Sequence, residues 1–156
     1  MGQKITRILQ KGTLCALDTM IFIYFLERHP IYYELLCDFF TQIEKGNLRG
    51  LISSLVLAEL LVPLYRTDRS KEANSLAELI DNFPNIEIVP LSSEIALEAA
   101  RLRAKYTIRT PDAIHAATAL KGKAQILLTN DKHFLALTDE IQVILIKDLL
   151  PSGKKN

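Results

Sequence analysis

Five short apolar runs alternate along the chain with longer segments in which apolar residues recur every three or four positions. Each run is four to six residues long, a length typical of β-strands. Their largely apolar character indicates strands that are covered on both faces. The runs predict strands over residues 13–17, 50–53, 86–89, 124–129 and 141–146.

The segments between the runs have the periodicity and the end signals of amphipathic helices. In the last of them, Thr110 is expected to be the N-cap, because Pro111 suits the first helical position, and Gly122 is expected to end the helix. The predicted helices cover residues 20–27, 31–45, 56–65, 70–83, 92–106 and 110–120.

Alternation of strands and helices predicts a parallel sheet with right-handed crossovers and helices on both faces. The expected fold class is therefore α/β: a three-layer α/β/α sandwich with a mainly parallel sheet of about five strands. Residues 1–150 are expected to form a single domain, and residues 151–156 a disordered tail.

Composition narrows the possible functions. The 156 residues carry a formal net charge of +1, which excludes binding of nucleic acid through bulk positive charge alone. Cys15 and Cys37 lie in apolar stretches without metal-ligand spacing and are expected to be buried free thiols. No apolar run is long enough to span a membrane, and no secretory signal is recognisable, so we expect a soluble cytoplasmic protein.

Four acidic residues lie where a parallel sheet of this kind binds ligands, beyond the carboxyl ends of its strands. Asp18 directly follows the first predicted strand, and Asp131 follows the fourth after one intervening residue, Asn130. Glu59 lies in the helix after the second strand, and Asp112 opens another helix. Taken singly, an Asp after a strand is more often a turn or cap residue. Glu59 is harder to explain in that way, because its neighbours are apolar and a buried carboxylate needs a partner.

Convergence of these four acids would determine the chemistry. Two carboxylates about 5 Å apart repel by roughly 3 kcal/mol at an effective dielectric constant near 20. Such a cluster must hold protons or cations, and all-oxygen donors suit Mg²⁺ or Mn²⁺. The chemistry that this favours is metal-assisted hydrolysis of a phosphodiester.

Four segments containing these acids occur in the order LDT, SSLVLAEL, TPDAIHAATA and LTNDKHF, and together they resemble the signature segments of the PIN-domain ribonucleases. The similarity is greatest to the VapC-like toxins of toxin–antitoxin pairs and covers roughly residues 13–150. The resemblance implies a metal-dependent endoribonuclease with RNA as substrate and a small antitoxin as partner. It also implies that Mg²⁺ or Mn²⁺ is the cofactor, and that the catalytic and metal-binding residues are Asp18, Glu59, Asp112 and Asp131.

Three further residues are candidates of second rank. The resemblance places the hydroxyl of Thr129 beside the acids, and His115 lies one helical turn after Asp112. His115 is either a functional residue or, the simpler interpretation, a hydrogen-bonded helix histidine at the edge of the pocket. Arg109 ends a basic run with Arg101, Arg103 and Lys105, which is either a solvated helix face or a source of phosphate contacts.

Other functions fit the sequence less well. Receiver domains and haloacid-dehalogenase-type phosphatases need a second acid beside Asp18, and no glycine-rich nucleotide loop follows a strand. The remaining alternative is a catalytically silent PIN-like domain that acts as a binding or assembly module.

The two helices after the first strand are rich in aromatic residues. A small core is not expected to bury all of them, so some should form an exposed apolar groove for an antitoxin or the surface of a homodimer. The residues are Phe22, Tyr24, Phe25, Tyr32, Tyr33, Phe39 and Phe40.

Overall fold

A five-stranded sheet, parallel throughout, forms the centre of the computed structural model, which describes residues 5–152. All five strands lie where the apolar runs predict them. They are β1 (Leu14–Leu17), β2 (Arg49–Ser53), β3 (Ile86–Val89), β4 (Ile126–Thr129) and β5 (Gln142–Leu145).

Helices connect the strands, and the six predicted ones are present. The sequence patterns did not predict the four-residue helix at the start or the two short 3-10 helices, because such elements are too short to show periodicity. The helices are α1 (Ile5–Ile8), α2 (Thr19–Leu26), α3 (Tyr33–Glu44), α4 (Leu55–Arg66), α5 (Ser70–Asp81), α6 (Ser93–Lys105) and α7 (Thr110–Lys121). The 3-10 helices are Lys132–Leu137 and Ile146–Leu149.

Alternation of side chains along each strand builds the three layers. Cys15 and Leu17 of β1 pack into one hydrophobic cluster, with α1–α5, whereas Ala16 packs into the other, with α6 and α7. In β4, Leu128 likewise belongs to the first cluster and Leu127 to the second. Both faces of the sheet are therefore covered, as the apolar strand sequences predict.

The strand order β3-β2-β1-β4-β5 reverses direction at β1. The chain runs outward from β1 through β2 to β3, then returns to the other side of β1 for β4 and β5. Right-handed crossovers put the helices of these two halves on opposite faces. The carboxyl ends of β1 and β4 consequently flank the crevice in which open α/β sheets bind ligands.

Three sequence expectations need correction or qualification. Arg109, not Thr110, is the N-cap of α7: the backbone of Thr110 is already helical and its hydroxyl accepts a hydrogen bond from Arg103. Cys15 is a buried free thiol as expected, but Cys37 is only half-buried. Of the predicted tail, residues 153–156 lie outside the described residues, while Pro151 and Ser152 are exposed.

The aromatic residues of α2 and α3 lie mostly within the chain. Phe22, Phe39 and Phe40 are buried, and the other four are half-buried. The large apolar residues of this region that are most exposed are not aromatic: Met20, Leu26 and Ile31 are each about 40% exposed. No helix within residues 5–152 is long and apolar enough to cross a membrane.

Close packing of α7 on β2 gives a test of this arrangement. A Cβ at Gly122 would overlap Leu51 Cδ2 and lie 3.0 Å from the carbonyl oxygen of Thr118. We expect Gly122→Ala to lower the free energy of unfolding by about 1–3 kcal/mol in urea titrations. In a Leu51→Val background, which lacks the overlapping methyl groups, the same substitution should cost less than half as much. Equal costs in both backgrounds would contradict the packing described.

Candidate active site

A cavity of about 430 Å³ opens at the carboxyl edge of the sheet, between α2, α4 and α7. All four acids predicted from the sequence line it, together with His115 and Arg109. One side of the cavity is polar and the other is an apolar wall. The lining residues are Asp18, Thr19, Met20, Ile23, Glu59, Val62, Pro63, Arg109, Asp112, His115 and Asp131.

The topology determines how each acid reaches the cavity. Asp18 directly follows β1 and is the N-cap residue of α2. Asp131 is separated from the end of β4 by Asn130 and is the N-cap residue of the 3-10 helix that follows. Asp112 lies in the first turn of α7, and Glu59 in the second turn of α4. The acids therefore meet from four elements that begin at the same edge of the sheet.

Asp18 is the most buried of the four acids, with 5% of its surface exposed. Its Oδ2 accepts a hydrogen bond from the Thr129 hydroxyl, but its Oδ1 is buried without a hydrogen-bond partner. Burial raises the pKa of Asp18 to about 6, although the Thr129 hydrogen bond and the nearby His115 act in the opposite direction. Thr129 is thus in contact with the acidic site, as the resemblance implied.

Glu59 is held by two partners. His115 Nε2 lies 3.0 Å from Glu59 Oε2, and the Thr19 hydroxyl donates a short hydrogen bond to the same oxygen. Burial raises the pKa of Glu59, but the hydrogen bonds from His115 and Thr19 outweigh that effect and lower it overall. His115 itself is buried and lines the cavity.

Arg109 lies between the other two acids. Its Nε is 3.0 Å from Asp112 Oδ2, its Nη2 is 3.4 Å from Asp112 Oδ1, and its Nη2 is 4.0 Å from Asp131 Oδ2. Arg101 and Lys105, in contrast, form ion pairs with Glu140, as a solvated helix face would. Of the basic run, Arg109 is the residue that lines the cavity.

Asp131 has a second neighbour in His133, whose Nδ1 is 2.7 Å from Asp131 Oδ1. Burial raises the pKa of Asp131, but the backbone and side-chain hydrogen bonds from His133 more than compensate, so it is lowered overall. The adjacent Asn130 fixes this loop: its amide donates to the hydroxyls of Tyr24 and Tyr32, and its oxygen accepts from Lys147 N.

Sequence reasoning missed the roles of Thr19 and His133. Thr19 directly follows Asp18, so a hydroxyl at the first turn of a helix beside a candidate acid was the available signal. His133 is exposed, but its ring nitrogen contacts Asp131. The Thr19–Glu59 contact depends on how α2 packs beside α4, and the His133–Asp131 contact depends on where the 3-10 helix after β4 begins, so spacing alone predicts neither.

The donor set fits a hard divalent cation. Four carboxylates line one cavity, and the unpartnered Oδ1 of Asp18 has a free acceptor position in a buried site. Within residues 5–152, however, no three His, Cys, Asp or Glu side chains are already placed close enough to hold a metal ion together. Glu59 and Asp112 are hydrogen-bonded instead to His115 and Arg109, so binding a cation would require side-chain rearrangement.

An acidic cavity at the reversal point of a doubly wound sheet is thus the defining feature of the molecule. The family model of the PIN domain matches residues 15–140, and the chain belongs to the PIN-domain family. Comparison with curated proteins gives no significant match.

Solved structures with the same fold include several VapBC complexes. VapBC2 from Rickettsia felis, bound to a DNA fragment from its promoter, is 24% identical, with a TM-score of 0.65 over 85% of this chain and 98% of that one. A toxin–antitoxin complex from Klebsiella pneumoniae is 20% identical, with a TM-score of 0.61 over 86% and 98%. DNA-bound VapBC from Salmonella typhimurium is 18% identical, with a TM-score of 0.67 over 86% and 98%. At these identities the similarity establishes the fold.

The burial of Asp18 predicts a pH-dependent cost to stability in the absence of metal. Its folded-state pKa of about 6 lies above the ordinary value of 3.8, so folding favours the protonated carboxyl. The cost is absent below about pH 4, grows as the pH rises, and is complete above about pH 6. In EDTA, Asp18→Asn should therefore raise the free energy of unfolding at pH 7 by up to about 3 kcal/mol, and by much less at pH 4.

Urea titrations at the two pH values measure this difference. Asp148→Asn is the matched control, because Asp148 is exposed and lies outside the cavity. We expect that control to change stability by less than about 0.5 kcal/mol at either pH. A loss of stability from Asp18→Asn that is equal at pH 4 and pH 7 would contradict the burial cost.

Proposed function

We propose that this protein is a metal-dependent endoribonuclease that hydrolyses RNA phosphodiester bonds at the four-carboxylate site, and that it is the toxin of a toxin–antitoxin pair. The observation that carries the proposal is the meeting of Asp18, Glu59, Asp112 and Asp131 in one cavity of a PIN domain. The family generally comprises nucleases, and acids alone would repel an RNA backbone. A bound cation resolves that conflict.

The four carboxylates are the residues that would hold Mg²⁺ or Mn²⁺. When bound, the cation supplies Lewis-acid activation of the phosphodiester and of the water that attacks it. Asp18 is the leading ligand, because its Oδ1 is buried and free of hydrogen bonds. The hydrogen bonds from His133 lower the pKa of Asp131, which favours the ionised form that binds a cation.

Hydroxyl and imidazole side chains of the same chain position these ligands. Thr129 donates to Asp18 Oδ2, and the same hydroxyl oxygen accepts from the backbone N–H of Asp131 at 3.0 Å. One threonine therefore fixes the spacing of the two acids at the ends of β1 and β4. Thr19 and His115 hold the carboxylate of Glu59 in place through hydrogen bonds to its Oε2. Arg109, at the mouth of the cavity, is placed to contact a substrate phosphate.

A second candidate is a catalytically silent PIN-like module that binds or assembles. It is favoured by the hydrogen bonds that Arg109 and His115 make to two of the acids, which leave no three ligands in place within the described part of the chain. The buried, unpartnered oxygen of Asp18 argues for the enzyme, because a purely structural site would gain stability from a neutral residue there.

The partner that we propose is a small antitoxin, together with a second copy of the chain in a homodimer. Support comes from the structural neighbours, which are toxin–antitoxin complexes, and from apolar side chains exposed around the cavity. Met20 and Val62 border the acids themselves, and Leu26 and Tyr65 lie further along the same two helices. A toxin of this kind would act on RNA in the cytoplasm.

Cleavage of a structured RNA pool tests the enzymatic proposal. We expect cleavage with Mg²⁺ or Mn²⁺, none in EDTA, and a loss of at least about 100-fold in rate for Asp18→Asn and Glu59→Gln, because each removes a ligand charge. Asp148→Asn, purified in the same way, should retain full activity and thereby exclude a contaminating nuclease. Folded, metal-binding protein that leaves the RNA intact would favour the silent module.

Light scattering and co-purification test the partners. We expect the isolated chain to have twice its monomer mass, and co-expression with the product of the neighbouring gene to give a stable complex in which RNA cleavage is suppressed. Met20→Ser and Val62→Ser should weaken that complex, because they remove apolar surface beside the cavity. A strict monomer without a co-purifying partner would contradict this part of the proposal.

A further inference from the structure

Arg109 lines the cavity and contacts two of the four carboxylates that would hold a metal ion. Its guanidinium contacts both oxygens of Asp112, at 3.0 and 3.4 Å, and approaches Asp131 to 4.0 Å. The chain thus supplies, from within, a positive charge to two of the four acids. The other two are held differently, Asp18 by Thr129 and Glu59 by His115 and Thr19.

The contact is held by charge more than by packing. The side chain of Arg109 is 76% exposed, whereas that of Asp112 is 10% exposed. A carboxylate with so little contact with water needs a counter-charge, and a forked guanidinium provides one. The exposed arginine can rotate into solvent without opening a gap in the core.

We propose that Arg109 is an internal counter-ion that competes with a divalent cation for Asp112 and Asp131 and, once displaced, binds the substrate phosphate. This inference rests on the proposed function. It goes beyond that function in giving one residue two successive roles: neutralising the acids when the metal is absent, and contacting RNA when the metal is bound.

Two physical effects support the competition. The hydrogen bond from Arg109 Nε takes up one of the lone-pair positions of Asp112 Oδ2 that a cation would use. A guanidinium beside the same carboxylates would also repel a divalent ion. Arginine does not lose its proton in proteins, so it must leave the carboxylate by rotation. Rotation leaves it charged at the mouth of the cavity, where a phosphate would approach.

Mn²⁺ affinity of the full-length protein without RNA, measured by isothermal titration calorimetry, tests the first role. We expect Arg109→Gln to lower the Kd for Mn²⁺ by roughly 3- to 10-fold, because a partly buried ion pair that opposes binding is removed. Arg109→Lys keeps the charge but not the forked contact, and should fall between the wild type and Arg109→Gln. Arg49→Gln is the matched control: it removes the same charge at the opposite edge of the sheet and should leave the Kd unchanged.

Steady-state cleavage tests the second role. Arg109→Gln should raise the KM for RNA by at least about 5-fold with little change in kcat, since the arginine positions substrate and holds no metal. A Kd for Mn²⁺ in Arg109→Gln that equals or exceeds the Arg49→Gln value would overturn the competition. An unchanged KM in an active Arg109→Gln would overturn the phosphate contact.

The two proposals fail in different ways. If the wild type binds Mn²⁺ but cleaves no RNA, the ribonuclease proposal fails, and the Mn²⁺ affinities alone decide whether Arg109 competes. If Mn²⁺ binds only once Arg109 is replaced, the competition is supported in its strongest form. If neither the wild type nor Arg109→Gln binds Mn²⁺, the competition is overturned.

Discussion

Mutual repulsion of four carboxylates is the constraint on which the rest of the site depends. The four acids share one cavity, so they cannot all be ionised unless neighbouring groups offset their repulsion. Each acid has such a neighbour. Hydroxyls and hydrogen-bonding nitrogens serve Asp18 and Glu59, whereas cationic or potentially cationic side chains serve Asp112 and Asp131. These neighbours offset the repulsion between the carboxylates, so the protein can fold with a charged site. Bound ligands can take the place of the same neighbours.

The fold makes this crowding hard to avoid. Because β1 and β4 are adjacent and parallel, the residues that follow them, Asp18 and Asp131, are brought to the same edge of the sheet. Thr129, at the end of β4, then links them through a single hydroxyl. A change in strand order would separate these residues, whatever their spacing in sequence. The same topology that gives a well-covered sheet therefore also creates the electrostatic problem.

Sequence reasoning reached the strands and the acids because both leave local signals. An apolar run such as 126–129 indicates a buried strand, and an acid within two residues of its end lies at the edge where ligands bind. The partners of the acids leave no such signal. Thr19 and Glu59 are 40 positions apart, and His115 and Glu59 are 56 apart, so their contacts depend on the packing of helices from different parts of the chain. Prediction from the sequence also fails over a shorter distance at Thr110. Threonine is a common N-cap residue, but the N-cap of α7 is Arg109.

Pro63 makes the position of Glu59 depend on hydrogen bonds from other helices. Proline has no backbone N–H, so the carbonyl of Glu59, four residues earlier in α4, lacks its usual hydrogen bond within the helix. The helix is therefore weakened at the residue that carries the candidate ligand. Its side chain is fixed instead from outside, by Thr19 of α2 and His115 of α7. Three helices thus hold one carboxylate. A ligand that draws Glu59 towards Asp18 has to break the hydrogen bonds of Thr19 and His115 to Glu59 Oε2. The backbone of α4 at Glu59 can adjust to that movement, because its carbonyl is not held by a hydrogen bond from Pro63.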